Sequence, residues 1–447
     1  MNITIFGAGY VGLVTATCFA ELKHTVHLYD LDKSKVTSLK RGKISIYEPG
    51  LEELFNKHLK RKTLSVESRF DDAIDASDIY FICVGTPQYK SGKPNLKYIF
   101  DITKNIKNSF VRNKNYNHKF LVYKSTIPPG TIKKIETEYF NDQNQNIHLG
   151  SNPEFLREGN AIFDFMNSDR IVIGSNSKKF KETLKKIYSS LLGKNTILVN
   201  TDPQSSEIIK YGANAFLATK ISFINELSRL SDSVGANIKD ISQGIGSDKR
   251  IGNNFLNAGI GFGGSCFPKD KNGLAYTFQD NYLRSEIIES VINVNKNQAK
   301  YFLNKILKLF SKKELKTKSI LVLGSAFKPN TDDIRESVSI KLIKMLSTKV
   351  YRIGVYEPIA IKNSKKDLSN FRNVKFEPSI SSKIFSKYDS AIVATEYKEF
   401  SEINVRDFLN LKDQTIFDGR NILDQKKFER QGIRYIGVGI ESIKNLF

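Results

Sequence analysis

The stretch GFGGSCFPKD, residues 261–270, sets a thiol behind three glycines and a serine and ahead of a lysine–aspartate pair. Glycines let a backbone approach a ligand closely, and Lys269 is placed to favour the thiolate of Cys266 or to touch a cofactor. A thiolate adds to an aldehyde, the resulting thiohemiacetal can lose hydride, and water must then hydrolyse the thioester. Read by itself, Cys266 serves equally as a small packed residue, because free cysteine is commonly buried and inert. The other two cysteines, Cys18 in a small-residue helix and Cys83 in an apolar strand, read as packing.

Hydride chemistry needs an acceptor, and the N-terminal residues offer a place for one. Gly7, Gly9 and Gly12 form a GxGxxG run directly after the apolar ITIF (3–6) and ahead of a small-residue helix. In that setting the glycines serve a tight turn, close approach to a pyrophosphate and close helix–strand packing, while the helix N-terminus offers amide N–H groups to phosphate. Asp30 ends the next apolar run, TVHLYD, where a carboxylate accepts ribose hydroxyls and repels a 2′-phosphate. The pattern favours NAD over NADP; a tight turn without ligand is the plainer alternative. A nicotinamide cofactor implies hydride transfer without naming the substrate.

Composition narrows the rest. The 447 residues exceed a single core, and 69 basic against 47 acidic residues give a net charge of +22. The lysines spread over helix faces such as KKFKETLKKIY without a nucleic-acid module, so no nucleic-acid partner is expected. Three scattered cysteines match neither a disulfide framework nor a zinc spacing, and His24, His27, His58, His118 and His148 hold no HxxxH pair, so no metal site is expected. The N-terminus carries no basic leader, and no uninterrupted apolar run is long enough for a bilayer. A cytoplasmic protein without membrane contact is the expectation.

These residues need elements to hold them. Apolar runs at 79–85, 119–126, 146–153, 170–174 and 196–200 alternate with helix-like stretches, the rhythm of a parallel α/β sheet. From Pro203 the pattern turns helical for more than thirty residues, with Ile208, Phe216, Ile224, Leu227, Leu230 and Val234 near helical spacing. Strand patterns return at 319–337, 351–358, 390–397 and 414–424, with a strand-to-glycine turn but no second full fingerprint. The expected architecture is two Rossmann-like parallel-sheet domains, 1–200 and 313–447, joined by a long central helix and a helical middle domain, 201–312, that also suits dimerisation.

Six blocks in order, GFGGSCFPKD with KSTIPPGT (124–131), SNPEFLREG (151–159), EIIKYGANAFLATKISFINE (207–226), RIGNNFL (250–256) and AFKPNTDDIRES (326–337), together resemble the UDP-glucose/GDP-mannose dehydrogenases. The likeness runs from the first strand to FDGRN (417–421). It implies oxidation of a sugar C6 alcohol to a carboxylate with two NAD and one water, UDP-glucose being the favoured substrate. In that reading Cys266 is the nucleophile. Lys210 and Asn214, four apart on one helix face, stabilise the oxyanion. Asp270 holds water or acts as a base, and Thr126 and Glu154 position the hydrolytic water.

The resemblance also implies that Tyr10, Val11, Asp30, Lys35, Thr86, Thr126, Glu158, Lys269 and Arg335 contact NAD beside the three fingerprint glycines. Glu154, Phe155, Leu156, Lys210, Asn214, Phe255, Leu256, Gly263, Lys328 and Arg420 would meet the nucleotide sugar, the arginine suiting a diphosphate. Arg250 matches a residue supplied by a neighbouring subunit, so a homodimer or larger homo-oligomer is implied. One departure stands out: STIPPG carries a second proline, Pro129, where valine is common. GDP-mannose or a UDP-N-acetylhexosamine stays open as substrate. So do a two-electron dehydrogenase of similar layout and a non-catalytic NAD- or nucleic-acid-binding protein. The lysine excess has no functional account.

Overall fold

A computed structural model describes residues 1–113, 118–140, 146–193 and 195–440. Residues 441–447, at the end of the expected third domain, lie outside them. The chain divides into two compact units, Met1–Ala213 with Asn272–Leu283, and Asn214–Lys271 with Arg284–Phe447.

The first unit carries the strands β1 (Asn2–Phe6), β2 (Thr25–Tyr29), β3 (Leu64–Val66), β4 (Ile79–Ile82), β5 (Lys119–Tyr123), β6 (Ile147–Ser151), β7 (Arg170–Gly174) and β8 (Ile197–Thr201). They lie in the order β3-β2-β1-β4-β5-β6-β7-β8. Pairing is parallel from β3 to β6 and between β7 and β8, while Ser151 of β6 meets Gly174 of β7 antiparallel, so the parallel sheet carries a reversed two-strand edge. Alternate side chains enter separate cores, as strands covered on both faces require. Ile5 and Phe81 join one cluster with Leu13, Val14 and Phe19, whereas Phe6, Tyr80 and Ile82 join another with Leu121 and Tyr123. Cys18 and Cys83 are buried in the first of these, as packing residues should be.

The helix Pro203–Val234 opens on its proline, where the missing N–H costs nothing, and runs for 32 residues. Ile238–Gly246, Phe267–Asp280 and Glu286–Leu309 follow it. Among the described residues no helix is long and apolar enough to cross a membrane.

In the second unit β9 (Ser319–Leu323), β10 (Arg352–Tyr356), β11 (Val374–Phe376), β12 (Ser390–Val393), β13 (Thr415–Asp418) and β14 (Arg434–Gly437) form a wholly parallel sheet ordered β11-β10-β9-β12-β13-β14. Its first turn copies that of the other sheet. Gly7 N–H donates to Tyr29 and Gly324 N–H to Tyr356, both at 2.8 Å, and both glycines hold positive φ, 102° and 91°. After each, a backbone N–H reaches the acid ending the neighbouring strand: Ala8 to Asp30 at 2.7 Å, Ser325 to Glu357 at 2.6 Å. The two acids differ in company. Glu357 is buried and also accepts from Ala326, Ile359 and Ala360 N–H and from the Tyr397 hydroxyl, so the chain itself saturates it.

The fingerprint glycines separate by cause. A Cβ on Gly12 would lie 1.7 Å from the Gly7 carbonyl oxygen, whereas one on Gly9 would meet nothing within 4 Å. Gly12→Ala should therefore destabilise by about 1–3 kcal/mol through overpacking. Gly9→Ala should cost less than about 1 kcal/mol, the usual range for a helix cap. Urea unfolding of the two variants checks the order, and equal losses would contradict it.

Candidate active site

The fingerprint turn delivers the chain into the helix Tyr10–Glu21, whose cap Gly9 offers no side-chain hydrogen bond to the first-turn amides. Open space over Gly9 beside those amides is a cradle that a Cβ would fill, and it suits a pyrophosphate. Asp30 sits at the end of β2, its Oδ2 accepting from Ala8 N–H and from Lys35 Nζ at 3.0 Å. Carboxylate, glycine turn and bare helix start together fit NAD. Thr86 donates its hydroxyl to the Thr126 carbonyl at 2.9 Å, tying two expected cofactor contacts together. Tyr10 is anchored through Glu48, a buried carboxylate that accepts the tyrosine hydroxyl, Gly159 N–H at 2.6 Å and Ala161 N–H at 2.7 Å. Burial and that carboxylate push the Tyr10 phenol far above its usual range. The same clamp fastens the loop that follows Glu158. Val11 lies in the first turn beside Tyr10.

Also in the first unit, Lys210 Nζ donates to Glu154 Oε1 at 2.9 Å, both side chains being buried. Glu154 Oε2 takes the Leu156 N–H at 2.6 Å, which folds the loop after β6 back on itself. Phe155 lies beneath two cations, the Arg170 guanidinium at 3.9 Å and Lys210 Nζ at 5.3 Å from its ring centre. Behind them Lys124 donates to Asn152 Oδ1 at 3.2 Å and to the Tyr188 hydroxyl at 3.3 Å. Burial pulls the Lys124 amine down to about 8. Lys124 is followed by Ser125 and Thr126, then by the loop that enters the helix Thr131–Tyr139 at Gly130.

In the second unit Cys266 directly precedes the helix Phe267–Asp280, and its carbonyl accepts Asp270 N–H at 2.8 Å. Its thiol is partly exposed, with Sγ 3.6 Å from Ser265 Oγ. Asp270 is buried and accepts from Asn214 Nδ2 and from Lys269 Nζ, each at 2.6 Å. The carboxylate so fixes the Asn214 amide and brings four expected site residues, Cys266, Lys269, Asp270 and Asn214, into one cluster. The glycines before the thiol are there for close packing: a Cβ on Gly263 would lie 2.4 Å from the Glu336 carbonyl, and Gly264 N–H donates to the Arg335 carbonyl at 2.9 Å.

The remaining expected contacts of this unit vary. Arg420 bonds the carbonyls of Ala394 and Gly261 and pairs with Glu396, while its buried Nη2 has no hydrogen-bond partner among the described residues, as a group awaiting an anion would. Phe255 holds a positive φ of 65° with its ring 6.3 Å from that of Phe267, whereas Leu256 is buried in the core cluster. The Lys328 ammonium lies 5.4 Å from the Phe327 ring centre. Arg335 and Arg250 each form a fork with an aspartate two residues earlier, Asp333 and Asp248.

Sequence reasoning passed over Glu48, Lys124, Asn152 and Glu207. Three of these stand inside the quoted blocks, Lys124 opening KSTIPPGT, Asn152 in SNPEF and Glu207 one helical turn before Lys210. Their partners lie tens of residues away, so the spacing carried the residues but not the pairings. Glu48 had no visible signal at all.

Three family models match in chain order: the NAD binding domain, the central domain and the UDP binding domain of the UDP-glucose/GDP-mannose dehydrogenase family, over residues 1–192, 204–297 and 321–425. A UDP-glucose 6-dehydrogenase of Rickettsia bellii is 41% identical over 440 residues, 98% of this chain and 99% of that protein. One from Bacillus subtilis is 39% identical over 447 residues, 99% of this chain and 98% of that one. A UDP-glucose dehydrogenase structure from Pyrobaculum islandicum superposes with a TM-score of 0.88 at 33% identity, covering 98% of each chain. With three domain matches in sequence and full-length identity near that level, the chain belongs to the UDP-glucose/GDP-mannose dehydrogenase family.

Proposed function

We propose that the protein oxidises the C6 alcohol of UDP-glucose to the carboxylate of UDP-glucuronate, with Cys266 carrying the carbon between two NAD-dependent steps. The observation that carries this reading is the cluster in the second unit: a thiol at a helix start, four residues ahead of a buried aspartate that holds the Asn214 amide. The amides of a helix's first turn favour an anion at that position. The relatives named UDP-glucose 6-dehydrogenase support the sugar.

NAD, when bound, accepts a hydride in each oxidation. Lys210, held by Glu154, and Asn214, held by Asp270, lie four residues apart on one continuous helix and each offers a donor to the developing oxyanion. The hydroxyl proton leaves toward the Lys210–Glu154 pair as the first hydride departs. The Cys266 thiolate then bonds C6 of the aldehyde, pushing the carbonyl electron pair onto oxygen, and the second hydride leaves a thioester. Water held by Thr126 and Glu154 adds to that carbonyl, the C–S bond breaks and the thiolate returns. One alcohol, two NAD and one water give one carboxylate, two NADH and three protons. Tyr10, Val11, Asp30, Lys35, Thr86, Glu158, Lys269 and Arg335 would hold the cofactor; Phe155, Leu156, Phe255, Leu256, Gly263, Lys328 and Arg420 would hold the nucleotide sugar.

A second copy of the chain fits the central helix, where Phe216, Phe223 and Leu230 repeat every seventh residue at 66%, 50% and 57% exposure. Arg250, exposed and paired only locally with Asp248 among its described contacts, would reach the neighbour. A cytoplasmic setting suits both the reduced thiol and the cofactor.

With limiting UDP-glucose the purified protein should release two NADH per sugar. One NADH would remove the thiol route, and silence with UDP-glucose alongside activity on GDP-mannose or UDP-N-acetylmannosamine would move the substrate. Cys266→Ser should lower turnover by about 10³-fold or more, the range for a lost nucleophile. Asn214→Ala should lower kcat by about 10²–10³-fold, as loss of one oxyanion donor does. Steady-state rates of both variants, beside an unchanged melting temperature for Cys266→Ser, check these values.

A further inference from the structure

We propose that Glu207 is a positioning residue for the hydrolytic half of the reaction, clamping the Thr126 loop to the helical turn that carries Lys210. The proposal rests on the thioester reading above for its chemistry, and on the following geometry for its existence.

Glu207 is buried on the long helix, three residues before Lys210 and hence on the same face. Its Oε2 accepts Gly130 N–H at 2.6 Å and its Oε1 accepts Ile132 N–H at 2.9 Å. These are first-turn donors of the helix Thr131–Tyr139, whose own cap, Gly130 at φ 88°, has no side chain to satisfy them. A carboxylate from another element does that work, and it meets the positive end of the helix dipole.

One turn of the long helix thus grips two loops. Glu207 holds the loop after β5 at Gly130, and Lys210 holds the loop after β6 at Glu154. Thr126 and Glu154, the two residues given the water, are set relative to each other by that single turn. Pro128 and Pro129 join Thr126 to the clamp with two fixed φ angles, and the Thr131 hydroxyl donates back to the Pro128 carbonyl. The second proline, a departure from the family pattern, acquires a purpose as a stiff tether.

The clamp needs the charged form. Each carboxylate oxygen faces an N–H, whereas a protonated acid or an amide turns a donor toward one of them. Burial pushes the Glu207 carboxyl up to about 7, with Asp202 at the helix start adding to the rise and the amides of Ile132, Gly130 and Thr131 opposing it. A carboxyl whose pKa is raised so far loses its charge as the pH falls through 7, so the clamp is present above neutrality and released below it.

Glu207→Gln is the direct test. Misplacing a reacting group by about an ångström can cost about 10²-fold, so kcat should fall roughly 10- to 100-fold. KM for NAD and for UDP-glucose should stay within about twofold, since no binding contact changes. Mass spectrometry during turnover should show the sugar acyl adduct accumulating on Cys266; the wild type should lose kcat as the pH falls below 7, and the variant should not show that loss. Unchanged kcat, or a kcat loss without adduct accumulation, overturns the proposal. Should that variant fail to fold, amide exchange in the wild type reads the same clamp. Corrected for intrinsic rates, protection of residues 130–135 should drop between pH 8 and 6 while that of β5 holds, and pH-independent protection overturns it. A wild type silent toward UDP-glucose would defeat the functional reading instead, leaving the exchange result to judge the clamp.

Discussion

The buried pair of Lys210 and Glu154 is the constraint around which the first unit is arranged. Two charges taken out of water are costly, and they persist only where their mutual attraction and added hydrogen bonds offset desolvation; removing one partner alone typically costs about 3–5 kcal/mol. Here the offset comes from the Leu156 amide on Glu154 and from the Phe155 ring under the lysine. Lys124 lies behind the pair as a second buried cation, held by Asn152 and Tyr188. Such a network admits few alternative arrangements, because every displaced partner leaves a buried charge or dipole uncompensated. The loops after β5 and β6 inherit their positions from it.

Helix boundaries and glycines do comparable work in the second unit. The thiol lies where a loop becomes a helix, and the glycines before it are small because the 335–336 backbone runs against them. Flexibility is thus a poor description of GFGGSCFPKD. Gly261 and Gly264 hold φ of 109° and 87°, and the segment is pinned from both sides. The aspartate that ends the stretch faces inward and spends both oxygens on Asn214 and Lys269, which makes it an orienting group.

How much of this could be read from residue order depends on the range of each interaction. The alternating sheets, the unbroken helix from Pro203 and the NAD fingerprint were legible because each is written locally: short apolar runs between helix-like stretches, a period near 3.6, a glycine triplet followed by an acid. The reversed edge at β7 was not, since strand direction depends on how the chain returns after Ser151. Among the site residues, Cys266, Asp270, Lys210 and Asn214 were legible as types in blocks. The pairings that hold them were not, because Glu154 stands 56 residues from Lys210 and Asn214 stands 56 from Asp270. Leu256, placed by its block, has its side chain buried in the core cluster, a setting that local spacing does not reveal.

The two sheets begin with the same glycine turn, but Asp30 stays partly exposed, whereas Glu357 is buried and filled by its own chain. That asymmetry has a consequence for timing. A reaction that surrenders two hydrides through one such cradle must empty and refill it midway, while the half-oxidised sugar waits. In the reaction proposed above, a bond to sulfur would let the carbon stay behind when its first oxidant departs.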